Sequence, residues 1–230
     1  MEAENEARRS LNYKIAMTGA FAALSIILSV TPLGYIQLGG AIQITLMHIP
    51  TILAALLGGL ESGVVVGFVF GLSSLLHGLM TPTAASPFFL NPLVSILPRM
   101  IFPVALWAIY TGLCLIPHIP KTIAATVSAA VGTFIHTMLV MGAICIFYAD
   151  TYLPMVRGAI EKLFGHEGIT GFKAFCAVIA ITMITNGFLE MAVAAFFVAA
   201  VFLVLFAKNK GKSKVSRFAD TQPKDDSSDF

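Results

Sequence analysis

Asn91-Pro92-Leu93-Val94-Ser95-Ile96-Leu97-Pro98-Arg99 is the stretch whose reading decides the fold. It opens an apolar run over 92–116 and contains Arg99, the one Lys or Arg that the apolar runs carry to bilayer depth. A charge at that depth costs roughly 2.5–3.5 kcal/mol on insertion scales, so it faces a partner, a cavity or a ligand. Proline cannot extend the helical hydrogen-bond ladder, so Pro92, Pro98 and Pro103 loosen the helix on both sides of Arg99. Two readings follow. Arg99 pairs with Glu190, the other charge at depth, or it lines an anion-binding cavity; the second carries the greater weight.

Composition supports a bilayer setting. Of 230 residues, 57% are hydrophobic and 11% charged, with a mean hydropathy of +0.88. Soluble domains average roughly 45–50% apolar and about 25% charged, so the class is an all-α integral membrane protein. The start, Met1-Glu2-Ala3-Glu4-Asn5-Glu6, is acidic and lacks a basic signal-peptide region, so the first apolar run is expected to stay as a span. Cys114, Cys145 and Cys176 fall in apolar runs at no metal spacing and read as three small core residues, with no disulfide and no metal. Gly211-Lys212-Ser213 lacks the leading glycine of a phosphate loop, which excludes nucleotide hydrolysis by that route. Nothing points to nucleic acid or to a cofactor.

A helix needs about 20 apolar residues to cross a core of roughly 30 Å. Six transmembrane helices are expected, at about 12–30, 43–57, 61–79, 92–116, 121–148 and 172–207. They divide the chain into an N-terminal segment (1–11), a membrane domain (12–207) and a charged, disordered tail (208–230). Arg8, Arg9, Lys14, Lys121, Lys208, Lys210, Lys212, Lys214 and Arg217 then share one side. The other side keeps only Arg157, Lys162 and Lys173, among acidic residues. Excess Lys and Arg marks the cytoplasmic side, so both termini are expected there, with the basic half of the tail near anionic lipid.

Polar and small residues along the spans suggest roles. Ala16, Ala20 and Ala23 lie on one face of the first helix, where small residues let helix backbones approach closely; spacing alone favours packing within the bundle. The uncharged connection from Thr31 to Gln43 carries Tyr35, Gln37 and Gln43 and would suit a lid. Gly63, Gly67 and Gly71 recur every fourth residue as a close-packing ridge. His48 and His77, on apolar helices, read as structural histidines. Asn91 before Pro92 is a helix N-cap that can also touch a ligand. Thr133 and His136 share a face of the fifth span, and Thr182, Asn186 and Glu190 form a polar stripe on the sixth.

Depth brings these groups together. Arg99 is 17 residues from Ile116, His136 is 15 from Lys121 and Glu190 is 18 from Lys208. At about 1.5 Å per residue, all three lie roughly 22–27 Å above the inner boundary. Three helices thus place costly polar groups at one level beneath two uncharged outer connections. An outward-facing cavity for a small polar molecule accounts for the agreement.

The Ala16-x-x-x-Ala20 face, the run from Thr45 through Leu79 (with Met47-His48-Ile49-Pro50 and the glycine ridge), and the Asn91-Pro92 to Pro98-Arg99 stretch resemble one family. It is the substrate-binding S component of energy-coupling factor vitamin transporters, and the likeness, over about 12–207, is greatest to the pantothenate type. The resemblance implies a six-helix protein in a prokaryotic cell membrane that captures a vitamin outside and is not an enzyme. It also implies docking on a transmembrane coupling subunit driven by two cytoplasmic ATPase subunits, through Ala16 and Ala20, with Ala23 on the same face. The S component topples to carry its site inward. The inner turn Gly59-Leu60-Glu61 departs from the Gly-Pro turn of the family.

Pantothenate carries a carboxylate, an amide and two hydroxyls. Arg99 suits the carboxylate, by a two-pronged contact; Asn91, Asn186, Gln37, His136 and Thr133 suit the rest. Glu190 orients Arg99 or accepts from a hydroxyl. Another vitamin is the alternative cargo. An intramembrane enzyme using His136 and Glu190 lacks a metal-site spacing, and a stand-alone ion-coupled transporter would be expected to show an internal repeat.

Overall fold

The structure is a computed structural model that describes residues 1–39, 42–80, 86–164 and 171–220. The described residues are helical apart from one hairpin and short turns. Helix α1 spans Glu2–Val30; a 3-10 turn at Pro32–Gly34 leads into strands β1 (Tyr35–Gly39) and β2 (Ile42–Thr45). These pair antiparallel, with Gln37 opposite Gln43. The expected all-α architecture holds, with one addition: the first connection is a short β-hairpin. The second expected span, 43–57, changes with it. Its first residues are strand, and the helix that follows, α2 (Ile49–Gly58), has 10 residues, about 15 Å or half a bilayer core.

The rest runs α3 (Leu60–Met80), short helices α4 (Ser86–Phe89) and α5 (Pro92–Ser95), α6 (Leu97–Cys114), α7 (Lys121–Phe164), α8 (Gly171–Thr182) and, after a π-helical turn at Met183–Gly187, α9 (Phe188–Asp220). Among the described residues, five helical stretches are long and apolar enough to cross a membrane: Glu4–Val30, Leu60–Met80, Pro92–Cys114, Lys121–Gly158 and Lys173–Leu205. Helix α7 breaks at Tyr148 (φ −138°, ψ 26°), where the sequence places the end of its span. Helical backbone in α9 reaches Asp220, inside the segment read as a tail; 221–230 lie outside the described residues.

Helix α2 is apolar on every side, and a helix of that kind belongs in an interior. Ile49 through Leu56 are all buried, and Ile52, Leu53 and Leu56 pack with Phe70 of α3, Phe102 and Leu106 of α6 and Val198 and Phe202 of α9. The turn into α3 requires a glycine, since Gly59 has φ +85°. Gly67 serves a different need. A methyl there would fall on the carbonyl oxygen of Arg99, so the ridge lets α6 approach α3 closely at Arg99. The cysteines are not core residues as expected: Cys114 and Cys176 are exposed and Cys145 is half-buried, as small, weakly polar thiols on the outer faces of an apolar bundle can be.

Candidate functional site

Pro98 creates the local geometry around Arg99. Having no N–H, it cannot serve the carbonyl four residues back, which is that of Val94. The helix breaks at Ile96, between α5 and α6. Nη1 of Arg99 reaches back to donate to the Val94 oxygen at 2.6 Å. Ser95 turns its hydroxyl to the Phe89 carbonyl at the same break. The Arg99 guanidinium carbon then lies 5.5 Å from the Phe70 ring centre and 5.2 Å from that of Phe89. Aromatic faces attract a cation, more strongly when water is excluded, and Arg99 is only 5% exposed.

Phe70 links Arg99 to His136, whose ring centre is 5.8 Å from it. Phe102 packs edge-on against His136 at 4.9 Å, and His48 stacks on it at 6.0 Å and 16°. Thr133, one turn before His136 on α7, is buried and donates to the Ala129 carbonyl at 2.9 Å. Two residues before the start of α2, Met47 enters the core while β2 ends at Thr45. There Glu190, the third residue after the π-helical turn, is buried and accepts from the Thr45 amide at 2.9 Å and the Thr45 hydroxyl at 2.5 Å, both at Oε1. A π-helical turn carries an extra residue and re-aims the side chains beyond it.

The result is one row: Phe89, Arg99, Phe70, His136, His48, Thr45, Glu190. Of the residues singled out in the sequence, Arg99, His136 and Glu190 belong to this row, and Thr133 lies one turn from it on α7. Asn91 caps α5, its Oδ1 accepting from the Leu93 amide at 3.0 Å. Asn186 is half-buried in the π-helical turn. The backbone of Gln37 is in β1, but its side chain lies outside the described residues. Glu190 binds the hairpin through Thr45, which differs from the simple pairing with Arg99 considered at the outset. Phe70, Phe89, Thr45 and His48 were not among the candidates; of these only His48, polar on an apolar helix, carried a signal.

Ala16, Ala20 and Ala23 are exposed, and α1 turns Thr18, Phe21, Ser25 and Ser29 inward instead. Beside the alanine face, α1 and α3 border a groove of about 390 Å³, lined by Lys14, Thr18, Gly19, Glu61 and Ser62 among others. Lys14 and Glu61 bridge it at 2.6 Å. Among the described residues, no group of three or more His, Cys, Asp or Glu is placed to hold a metal ion.

A family model described as "ECF transporter, substrate-specific component" matches residues 13–206. No curated protein matches the chain.

Proposed function

The chain belongs to the substrate-specific component family of ECF transporters, and from that premise we propose that it captures pantothenate from outside the cell. Members of this family bind a small substrate and work with a membrane coupling subunit and ATPases. They are transporter components rather than enzymes. The observation that carries the cargo reading is the buried Arg99, clasped by a carbonyl and two aromatic faces. A guanidinium fixed in this way is presented as a rigid fork, matched to a carboxylate. His136 lies one ring away, within reach of the amide and hydroxyls of a short, extended acid.

In this reading the β1–β2 hairpin is the lid, tethered at Thr45 to Glu190. Helix α2 counts as a sixth, half-height span, which puts both termini in the cytoplasm and agrees with the distribution of Lys and Arg. The setting is a prokaryotic cell membrane. The exposed Ala16, Ala20 and Ala23 face, with the groove beside it, receives the coupling subunit; exposure of a small-residue stripe suits close helix approach by a partner.

Calorimetric titration of the purified chain with a panel of water-soluble vitamins tests the proposal. Pantothenate is expected to give saturable heat at one site per chain. Saturable binding of a different vitamin and none of pantothenate would overturn the cargo.

A further inference from the structure

His48 and His136 stand out among the buried polar groups. His48 is 1% exposed and His136 8%. Neither ring nitrogen of His48, nor Nε2 of His136, has a hydrogen-bond partner; the Thr45 backbone faces His48 without reaching hydrogen-bond geometry. Leaving a buried donor or acceptor unmade costs about 1–3 kcal/mol, and here three such atoms share one stack. Thr51, one turn inward from His48 on α2, adds a fourth, its buried Oγ1 also without a partner. A purely structural histidine pair would be expected to spend its nitrogens on backbone or hydroxyl groups, as Thr133 and Thr137 spend their hydroxyls on backbone carbonyls of α7.

We propose that His48 and His136 form a second ligand subsite, which hydrogen-bonds the uncharged polar end of the molecule whose anionic end Arg99 holds. Resting on the capture reading above, this deepens it: the substrate class is an extended acid with hydroxyl groups distal to its carboxylate. Phe70 separates the two subsites, touching both the guanidinium and the His136 ring. A compact anion that offers only its charge would leave the histidine subsite unfilled. A neutral imidazole presents one donor and one acceptor, so two stacked rings match a diol, in which each hydroxyl both gives and takes. A site built to hydrogen-bond a hydroxyl discriminates strongly against the analogue that lacks it, because its own polar groups are then left buried and unmade.

The test compares pantothenate with its hydroxyl-free analogue, N-(3,3-dimethylbutanoyl)-β-alanine, on the full chain and on His48→Phe and His136→Phe. The wild type should prefer pantothenate by at least about tenfold. Each variant should lose that preference, its affinity for pantothenate falling by about tenfold more than its affinity for the analogue, which lacks only the hydroxyls. An unchanged preference in both variants overturns the subsite. Melting temperature gives an arm that needs no ligand. Replacing an unpaired buried imidazole by an apolar ring should leave the protein as stable or more so, whereas a clear fall in both variants would mark the pair as structural and sink the proposal. If the wild type binds neither probe, the pantothenate reading fails, and the subsite stands or falls on the melting result.

Discussion

Nη1 of Arg99 donates to the Val94 carbonyl at 2.6 Å, taking the place of the amide that Pro98 cannot supply. The charge at bilayer depth is thus aimed by a proline one residue away. Pro98→Ala restores an N–H that competes for the same oxygen, straightens the break at Ile96 and frees the guanidinium from its tether. Ligand affinity should fall about tenfold with little loss of melting temperature. Unchanged affinity would show that the proline has no part in positioning Arg99.

The Thr45–Glu190 contact ties the hairpin to α9 with two hydrogen bonds at one carboxyl oxygen. Glu190→Ala removes the one oxygen that accepts both bonds and should let the hairpin open more often. Backbone amides of β1 and β2 are expected to exchange with deuterium about tenfold faster or more, while those of α6 keep their protection. Equal exchange in the two proteins would mean that the hairpin is held by other contacts.

Ala16 and Ala20 are exposed on α1, away from its buried side at Ser25 and Ser29. Ala16→Leu and Ala20→Leu should therefore leave ligand binding and melting unchanged while lowering co-purification with the coupling subunit and uptake in cells. Full uptake by the double variant would remove this face from the interface.

Membrane orientation is tested with single cysteines in a chain whose Cys114, Cys145 and Cys176 are replaced by alanine. Ala3→Cys should react with an impermeant maleimide only after the membrane is permeabilised, and Gly158→Cys should react in intact cells. The reverse pattern would invert the topology.

How much was legible in the sequence depended on which force set each feature. Long apolar runs reveal themselves by length, so α1, α3, α6 and α7 appear close to where they were expected, and even the break at Tyr148 matches a span end. The region from Tyr35 to Gly58 was harder. Its strands are short and apolar, and such runs are ambiguous between strand and helix. Alternation in Ile42-Gln43-Ile44-Thr45 after the two glycines was the available hairpin signal. At the site, Arg99 and His136 were visible because polarity at depth is costly. Phe70 and Phe89 were not, since a phenylalanine that clasps a cation has the same sequence context as one facing lipid. Nor was Thr45 visible: its link to Glu190 spans 145 positions and exists only once the bundle has formed.

The account rests on Arg99 receiving the carboxylate of a captured acid. Equilibrium binding of radiolabelled pantothenate to the purified wild type and to Arg99→Gln, which keeps a polar side chain and removes the charge, tests this most directly. Saturable binding by the wild type and a loss of about 100-fold or more in the variant is the predicted result, in keeping with a charge-assisted pair in a water-poor site. Equal affinity in the two proteins would contradict it.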